Sequence, residues 1–406
     1  MANVMTIQAG KNIRSLFVVD TEASWIRSFL HAMPPEVRIH GFRVRNALQF
    51  PGGLRAQLRK VGRSEAVSAS WDDTWISIPG WNKAFGLSSW LVARQIKRTL
   101  RRVGQPDAIL FTLPWYARVA GNCAAATRTY YAHDTFRYYG WDNNKIIPLE
   151  KQLLDSCQVG FGVARRVVTD LQEQSRTPMH YLPMATTWRP GETSAEGEAA
   201  AEQALESVPG PRVGCVGQIN RTAYDWDLIE YLSASFPDAQ FVFLGPRFKE
   251  PSDSAAHRLD AVFARPNVHW LGAKPHSHLP AYLRRFDVCF NPLGVTEHNH
   301  RRSPLRLFDY LTTDRPIVST AIAEAFSHVP FVHIARDREE FHRLLGEALT
   351  WKVAPDLERR RNHIAANTWQ VRAAEFCTIM EATAGAASAK PEAPPPEHRK
   401  NQQYDD

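Results

Sequence analysis

Cysteine is scarce in this chain of 406 residues: there are five, Cys123, Cys157, Cys215, Cys289 and Cys377, odd in number, widely spaced and without a Cys-x-x-Cys pair. That pattern excludes a disulfide framework, and reduced thiols in a cytoplasmic protein are its simplest reading. Long apolar runs are missing as well. No segment approaches the ~20 apolar residues that cross a bilayer, and residues 16–20 form only a strand-sized run, too short for the core of a leader. The chain is therefore expected to be soluble, or peripheral at the inner face of the plasma membrane. A nucleic-acid-binding motif is also lacking, so no nucleic acid partner is expected. The net charge of +7 then suits an anionic membrane surface or an anionic small substrate.

What is present fits a folded protein of more than one domain. Hydrophobic residues make up 44% and charged residues 22% of a chain long enough for two cores. Residues 211–380 alternate short apolar strands (212–217, 240–245, 268–272, 287–292, 316–320) with helices (228–235, 279–286, 305–312, 339–351). This alternation argues for a parallel sheet covered on both faces, with ligands bound beyond the carboxyl ends of its strands. Strands near 14–20, 37–42, 108–112, 128–132 and 159–162, with helices near 90–103 and 149–156, make a second doubly wound domain the economical reading of the N-terminal half. The expected division is an N-terminal domain over 1–187, a linker over 188–210, a C-terminal domain over 211–360, a helix over 361–381 that crosses back, and a disordered tail over 382–406, where Ala, Pro, Glu and Lys replace any apolar period.

The most telling stretch is 303–320. Ser303 reads as an N-cap and Pro304 as the first helical residue, so the free N–H groups from Leu305 onward would meet an anion at the positive end of the helix dipole. Arg302 and Arg306 supply cations beside it. Asp309, about one and a half turns further on, is placed to reach a sugar hydroxyl while a diphosphate stays at the helix mouth.

The string Pro-x-Arg-Leu-Phe-Asp-Tyr-Leu, followed after four residues by Pro-Ile-Val-Ser-Thr, resembles the donor-binding segment of GT-B glycosyltransferases of the family 4 or group 1 type. Leu-Gly-Pro at 244–246, Asn-Val-His at 267–269 with Leu271-Gly272, and Trp369-x-x-Arg372 follow in that family's order. The resemblance implies two Rossmann-like domains facing a cleft, and transfer of a hexose, with retention, from a nucleotide-sugar to a glycan or lipid-linked acceptor in cell-surface polysaccharide synthesis. It places the loop of Gln218, Asn220 and Arg221 near the donor phosphates and Lys274 and His276 near the base, while Gly217 and Gly245, at the carboxyl ends of their strands, are expected to line the donor site. The family normally has Glu where this chain has Asp309, and a second Glu where it has Arg301. The glycine-rich loop after the first strand is replaced by residues 20–24, Asp-Thr-Glu-Ala-Ser.

His133 and Asp134 follow an apolar strand and are the expected catalytic pair, His133 bonding the transferred sugar or departing phosphate and Asp134 orienting it or accepting the acceptor's proton. Asp225-Trp226-Asp227 matches a metal-binding string but precedes a helix, where acids cap, and His298 and His300 read as solvated or anion-facing. Neither metal nor cofactor is expected. Trp71, Trp75, Trp81 and Trp90 read as packing residues or as the lining of an acceptor groove. Two rival readings share the phosphate site: a GT-B nucleotide-sugar epimerase, and a non-catalytic nucleotide-sugar-binding scaffold.

Overall fold

The computed structural model describes residues 13–46, 64–78, 85–121, 123, 127–139, 142–247, 254–351 and 353–388. The N-terminal sheet contains β1 (Ser15–Val19), β2 (Arg38–Asn46), β3 (Ser64–Ser68), β4 (Trp71–Ile78), β5 (Ala108–Phe111), β6 (Thr127–Ala132), β7 (Val159–Gly162) and β8 (Met179–Tyr181), in the order β3-β4-β2-β1-β5-β6-β7-β8. All neighbours pair parallel except β3 with β4. The C-terminal sheet holds β9 (Arg212–Val216), β10 (Gln240–Leu244), β11 (Val268–Trp270), β12 (Val288–Asn291), β13 (Ile317–Thr320) and β14 (His333–Ala335), all parallel in the order β11-β10-β9-β12-β13-β14. Strand order reverses between β9 and β12, which opens a crevice at their carboxyl ends.

The central strands form because they are apolar on both faces. Every residue of Ala108–Phe111, Val159–Gly162 and Val288–Asn291 is buried. Each fully buried Val, Leu, Ile or Phe contributes roughly 1.5–3 kcal/mol, so helices must cover both sides. Strand β4 escapes a reading by apolar pattern because its buried positions include an acid. Asp73 sits under the sheet edge and accepts from Thr21 Oγ1 at 3.0 Å, Trp71 Nε1 at 2.8 Å and Arg27 Nη1 at 2.9 Å.

Three boundaries differ from expectation, the first being that residue 361 falls inside a separate helix, Leu357–Ala365, so that the helix crossing back begins at Trp369. Ala195–Leu205, inside the expected linker, is a helix: Ser194 accepts from Gly197 N at 3.0 Å, and the Ala/Glu run has high helix propensity. It packs on the C-terminal domain, where Tyr282 donates to Ala200 O at 3.0 Å. The last helix, Trp369–Ser388, runs seven residues into the expected tail, and 389–406 lie outside the described residues. This helix lies on the N-terminal domain, Phe376 meeting Phe29 at 5.4 Å and Phe161 at 5.0 Å. Thr186 and Thr368 bridge the two passages of chain between the domains. No helix among the described residues is long and apolar enough to cross a membrane.

Candidate active site

Between the two sheets lies a cavity of about 560 Å³, lined from the N-terminal side by Ser24, Trp25, His133, Asp134 and Tyr139 and from the C-terminal side by the loops after β9, β10 and β11 and by residues 302–309. Gly217, Gln218, Asn220, Gly245, Lys274, His276, Arg302, Ser303, Pro304, Leu305, Arg306 and Asp309 all line it, as do His133 and Asp134. Of the expected site residues, only Arg221 does not. Gly217 and Gly245 both have φ +144 and lie against each other; a Cβ on Gly245 would come within 1.9 Å of Gly217 O, and one on Gly217 within 2.4 Å of the Arg306 guanidinium. Both positions therefore require glycine, because Gly217 O and the Arg306 guanidinium fill the space a side chain would take.

The helix at the mouth begins one residue later than expected. Leu305–Leu311 has Pro304 at its cap position, with no side chain bonded to its first N–H groups. Ser303 does not cap it, because its Oγ accepts from Met184 N at 3.2 Å across the domain gap. Arg306, in the first turn, packs its guanidinium over Tyr224 at 5.0 Å and donates to Cys215 Sγ at 3.3 Å. It has no carboxylate within ion-pair distance among the described residues.

Asp309 is 7% exposed and bonds one side chain, accepting from Thr186 Oγ1 at 3.0 Å. Burial pushes its carboxyl up to about 7, against the lowering effect of the Thr186 bond. Thr186, missed in the sequence, is 123 residues away in the chain, and no local pattern announces it.

Residues 297–302 join the domains. His298 Nε2 lies 3.2 Å from Asp134 Oδ1, Arg302 Nε 3.6 Å from Asp134 Oδ2, Arg301 Nε 2.6 Å from Asp170 Oδ2, and Arg166 Nη1 3.3 Å from Glu297 Oε2. His300, read as solvated or anion-facing, instead accepts from Ala323 N at 3.0 Å through Nδ1. His298 stacks on Tyr138 at 5.2 Å. Tyr139, also missed, donates to Asp134 Oδ2 at 2.5 Å.

Burial alone would raise the Asp134 carboxyl. The His298 bond, the Arg302 charge and the Tyr139 hydroxyl together hold it far below the usual carboxylate range. So acidic a group is a poor proton acceptor at neutral pH. Asp134 is better suited to fix Arg302 and His298 across the cleft than to deprotonate an acceptor. Burial pushes His133 down, so its ring is neutral near pH 7; it packs against Trp25 at 4.7 Å. Asp134→Asn removes the charge opposite Arg302 and His298. We expect it to cost about 1–3 kcal/mol in thermal or urea unfolding at neutral pH. Because the folded-state pKa is depressed, that stabilisation is present above the ordinary carboxylate range and lost as pH falls below it, so wild type and variant should converge in acid.

Asp225 accepts from Leu228 N at 2.9 Å and caps its helix, which accounts for the Asp-x-Asp string. His276 packs at a tilt against Trp188 at 4.6 Å, and Lys274 lies over Tyr282 at 5.7 Å.

Two Rossmann-like domains facing one cleft, with a helix crossing back, define the GT-B fold. Similar solved structures share it along nearly their whole length. A trehalose-6-phosphate structure from E. coli bound with UDP-2-fluoro glucose matches with TM-score 0.67 and 13% identity, over 90% of this chain and 99% of that one. Sucrose-phosphate synthase from Thermosynechococcus elongatus gives 0.66 and 13%, over 90% and 98%. HepE from Anabaena, in complex with UDP and glucose, gives 0.61 and 12%, over 91% and 97%. Among curated proteins, the putative teichuronic acid biosynthesis glycosyltransferase TuaH of Bacillus subtilis is 27% identical over 127 residues, 31% of each chain. The match thus spans about a third of that relative's length. No family model matches.

Proposed function

We propose that this protein is a glycosyltransferase that moves a sugar from a nucleotide diphosphate donor to a glycan or lipid-linked acceptor in cell-surface polysaccharide synthesis. The observation that carries the proposal is Arg306: a cation lining a deep cleft with no carboxylate partner among the described residues, packed against Gly217, whose lack of a side chain makes room for the guanidinium. A diphosphate leaving group supplies the missing negative charge. Arg302 lies near enough to exchange Asp134 for the same anion. Asp309 takes the ribose, Lys274 and His276 lie toward the base, and neutral His133 bonds the transferred sugar. The UDP named in two of the similar structures makes UDP-sugars the first donors to try. Retention of configuration rests on the resemblance to family 4. The proposed setting is the cytoplasmic side of the membrane that carries the lipid-linked acceptor.

Thermal stabilisation by a panel of nucleotide sugars tests the donor site. Release of free nucleotide only when an acceptor is present separates transfer from epimerisation, and tight donor binding with no turnover under any acceptor mixture would favour the scaffold reading. The charge balance offered by Arg306 and Arg302 also needs no divalent ion. Turnover is expected to survive excess EDTA; activity lost in EDTA and restored by Mg²⁺ or Mn²⁺ overturns that part of the mechanism.

A further inference from the structure

The charge of this chain is concentrated in one segment. Residues 74–133 carry eight Lys and Arg against a single acid, Asp107, an excess equal to the +7 of the whole protein, so the remainder is neutral. Asp107 is itself committed: it accepts from Arg14 N and Ser15 N at 3.0 Å and Ser15 Oγ at 2.9 Å, at the start of β1. The excess gathers on the helix Phe85–Val103, where Arg94, Arg98 and Arg101 recur at i, i+4 and i+7 on one face. That face forms one wall of a groove of about 770 Å³, and Arg118, from the short helix Ala117–Ala120, lines the other. A second hollow of about 490 Å³ shares Arg98 and Arg101 and adds Arg102. In the first half of the helix, Trp90 is 53% exposed, with the Arg94 guanidinium over its ring at 5.4 Å.

Like charges one helical turn apart destabilise a helix by several tenths of a kcal/mol per pair. Arg94, Arg98 and Arg101 have no ion pair among the described residues to relieve this. A row of guanidiniums is matched by an anion that repeats along a chain, and carboxylate or phosphate suits the planar fork of Arg in particular. The groove is concave and walled on both sides, which fits a chain lying in it better than a flat bilayer. An exposed aromatic ring at one end offers a stacking face for a pyranose.

We propose that this groove binds an acidic glycan, a polymer carrying a carboxylate or phosphate on its repeating unit, and holds the acceptor chain away from the reaction centre. The inference builds on the reading of the acceptor as a glycan, but its test needs neither donor nor turnover. Calorimetry with an oligogalacturonate of about eight residues, at low and at physiological salt, should show binding that weakens as salt screens it. A neutral malto-oligosaccharide of equal length should not bind. The triple variant Arg94→Ala, Arg98→Ala, Arg101→Ala should lose at least tenfold in affinity for the polyuronate while nucleotide-sugar stabilisation stays at the wild-type level. Trp90→Phe should weaken binding less. Absence of polyuronate binding at low salt, or equal binding by the triple variant, overturns the proposal. A variant that loses co-sedimentation with phosphatidylglycerol vesicles but keeps the polyuronate also overturns it, and assigns the face to a bilayer instead. A failed donor screen with intact polyuronate binding would count against the proposed transfer reaction alone.

Discussion

Arg306→Ala is expected to lower kcat/KM by roughly tenfold to a hundredfold, the equivalent of one lost charge-assisted contact of ~1.5–3 kcal/mol. The size follows from its setting. The guanidinium is wedged between the Tyr224 ring, the Cys215 thiol and the bare backbone of Gly217, so it cannot turn away to solvent and its charge is directed into the cleft. Its loss should cost little stability, since among the described residues no carboxylate is left unpaired by it. Thermal unfolding of the variant should therefore stay within a few degrees of wild type, which separates a site effect from misfolding. Arg306→Lys keeps the charge but not the fork, and should recover only part of the rate. If kcat/KM is unchanged in Arg306→Ala, the diphosphate does not lie on this residue, and the assignment of the helix mouth fails with it.

How far the site could be read from the sequence depended on whether its contacts were local. The strands of the C-terminal sheet were legible because runs such as Gln240–Leu244 are apolar on both faces. The crevice residues were then placed by the rule that ligands sit at strand carboxyl ends. Where a polar group does structural work under cover, the pattern failed. Asp73 hides β4, and the Ala/Glu run at 195–205, which looks like linker composition, is a helix held by Tyr282 and Arg285. Ser303 departs from its local signal for a related reason: Ser-Pro before an apolar run is a capping pattern, but Met184 N, 119 residues away, donates to the hydroxyl. The loop at 297–302 shows the same limit. Its departure from the family pattern was visible, yet its use as a tie to Asp134, Asp170 and Arg166 exists only once the domains are docked.

Asp309→Asn is expected to weaken donor binding by ~1.5–3 kcal/mol at pH 8 while making the empty protein more stable there. Both effects come from one cause. Burial holds the carboxyl at about 7 against an ordinary value of 3.8, because Thr186 offers a single hydroxyl to an ion that water would surround. The folded state therefore keeps a proton that the unfolded state gives up, and between these two values this group's contribution to stability falls as pH rises, levelling off above 7. A tenfold change in proton affinity corresponds to about 1.4 kcal/mol, so the penalty at pH 8 amounts to a few kcal/mol at most. Asparagine keeps an oxygen for Thr186 and carries no charge, so the variant should gain over wild type in urea titrations at pH 8 and lose that advantage toward pH 5. Donor binding reverses the balance: ribose hydroxyls donate to the ionised carboxylate and favour it. Wild-type donor affinity should rise with pH until about 7, with release of a proton that calorimetry detects, just below that pH, as a dependence on buffer ionisation enthalpy. The variant should show neither. Donor affinity that is flat in pH for the wild type, together with an unchanged affinity in Asp309→Asn, would remove Asp309 from the donor site.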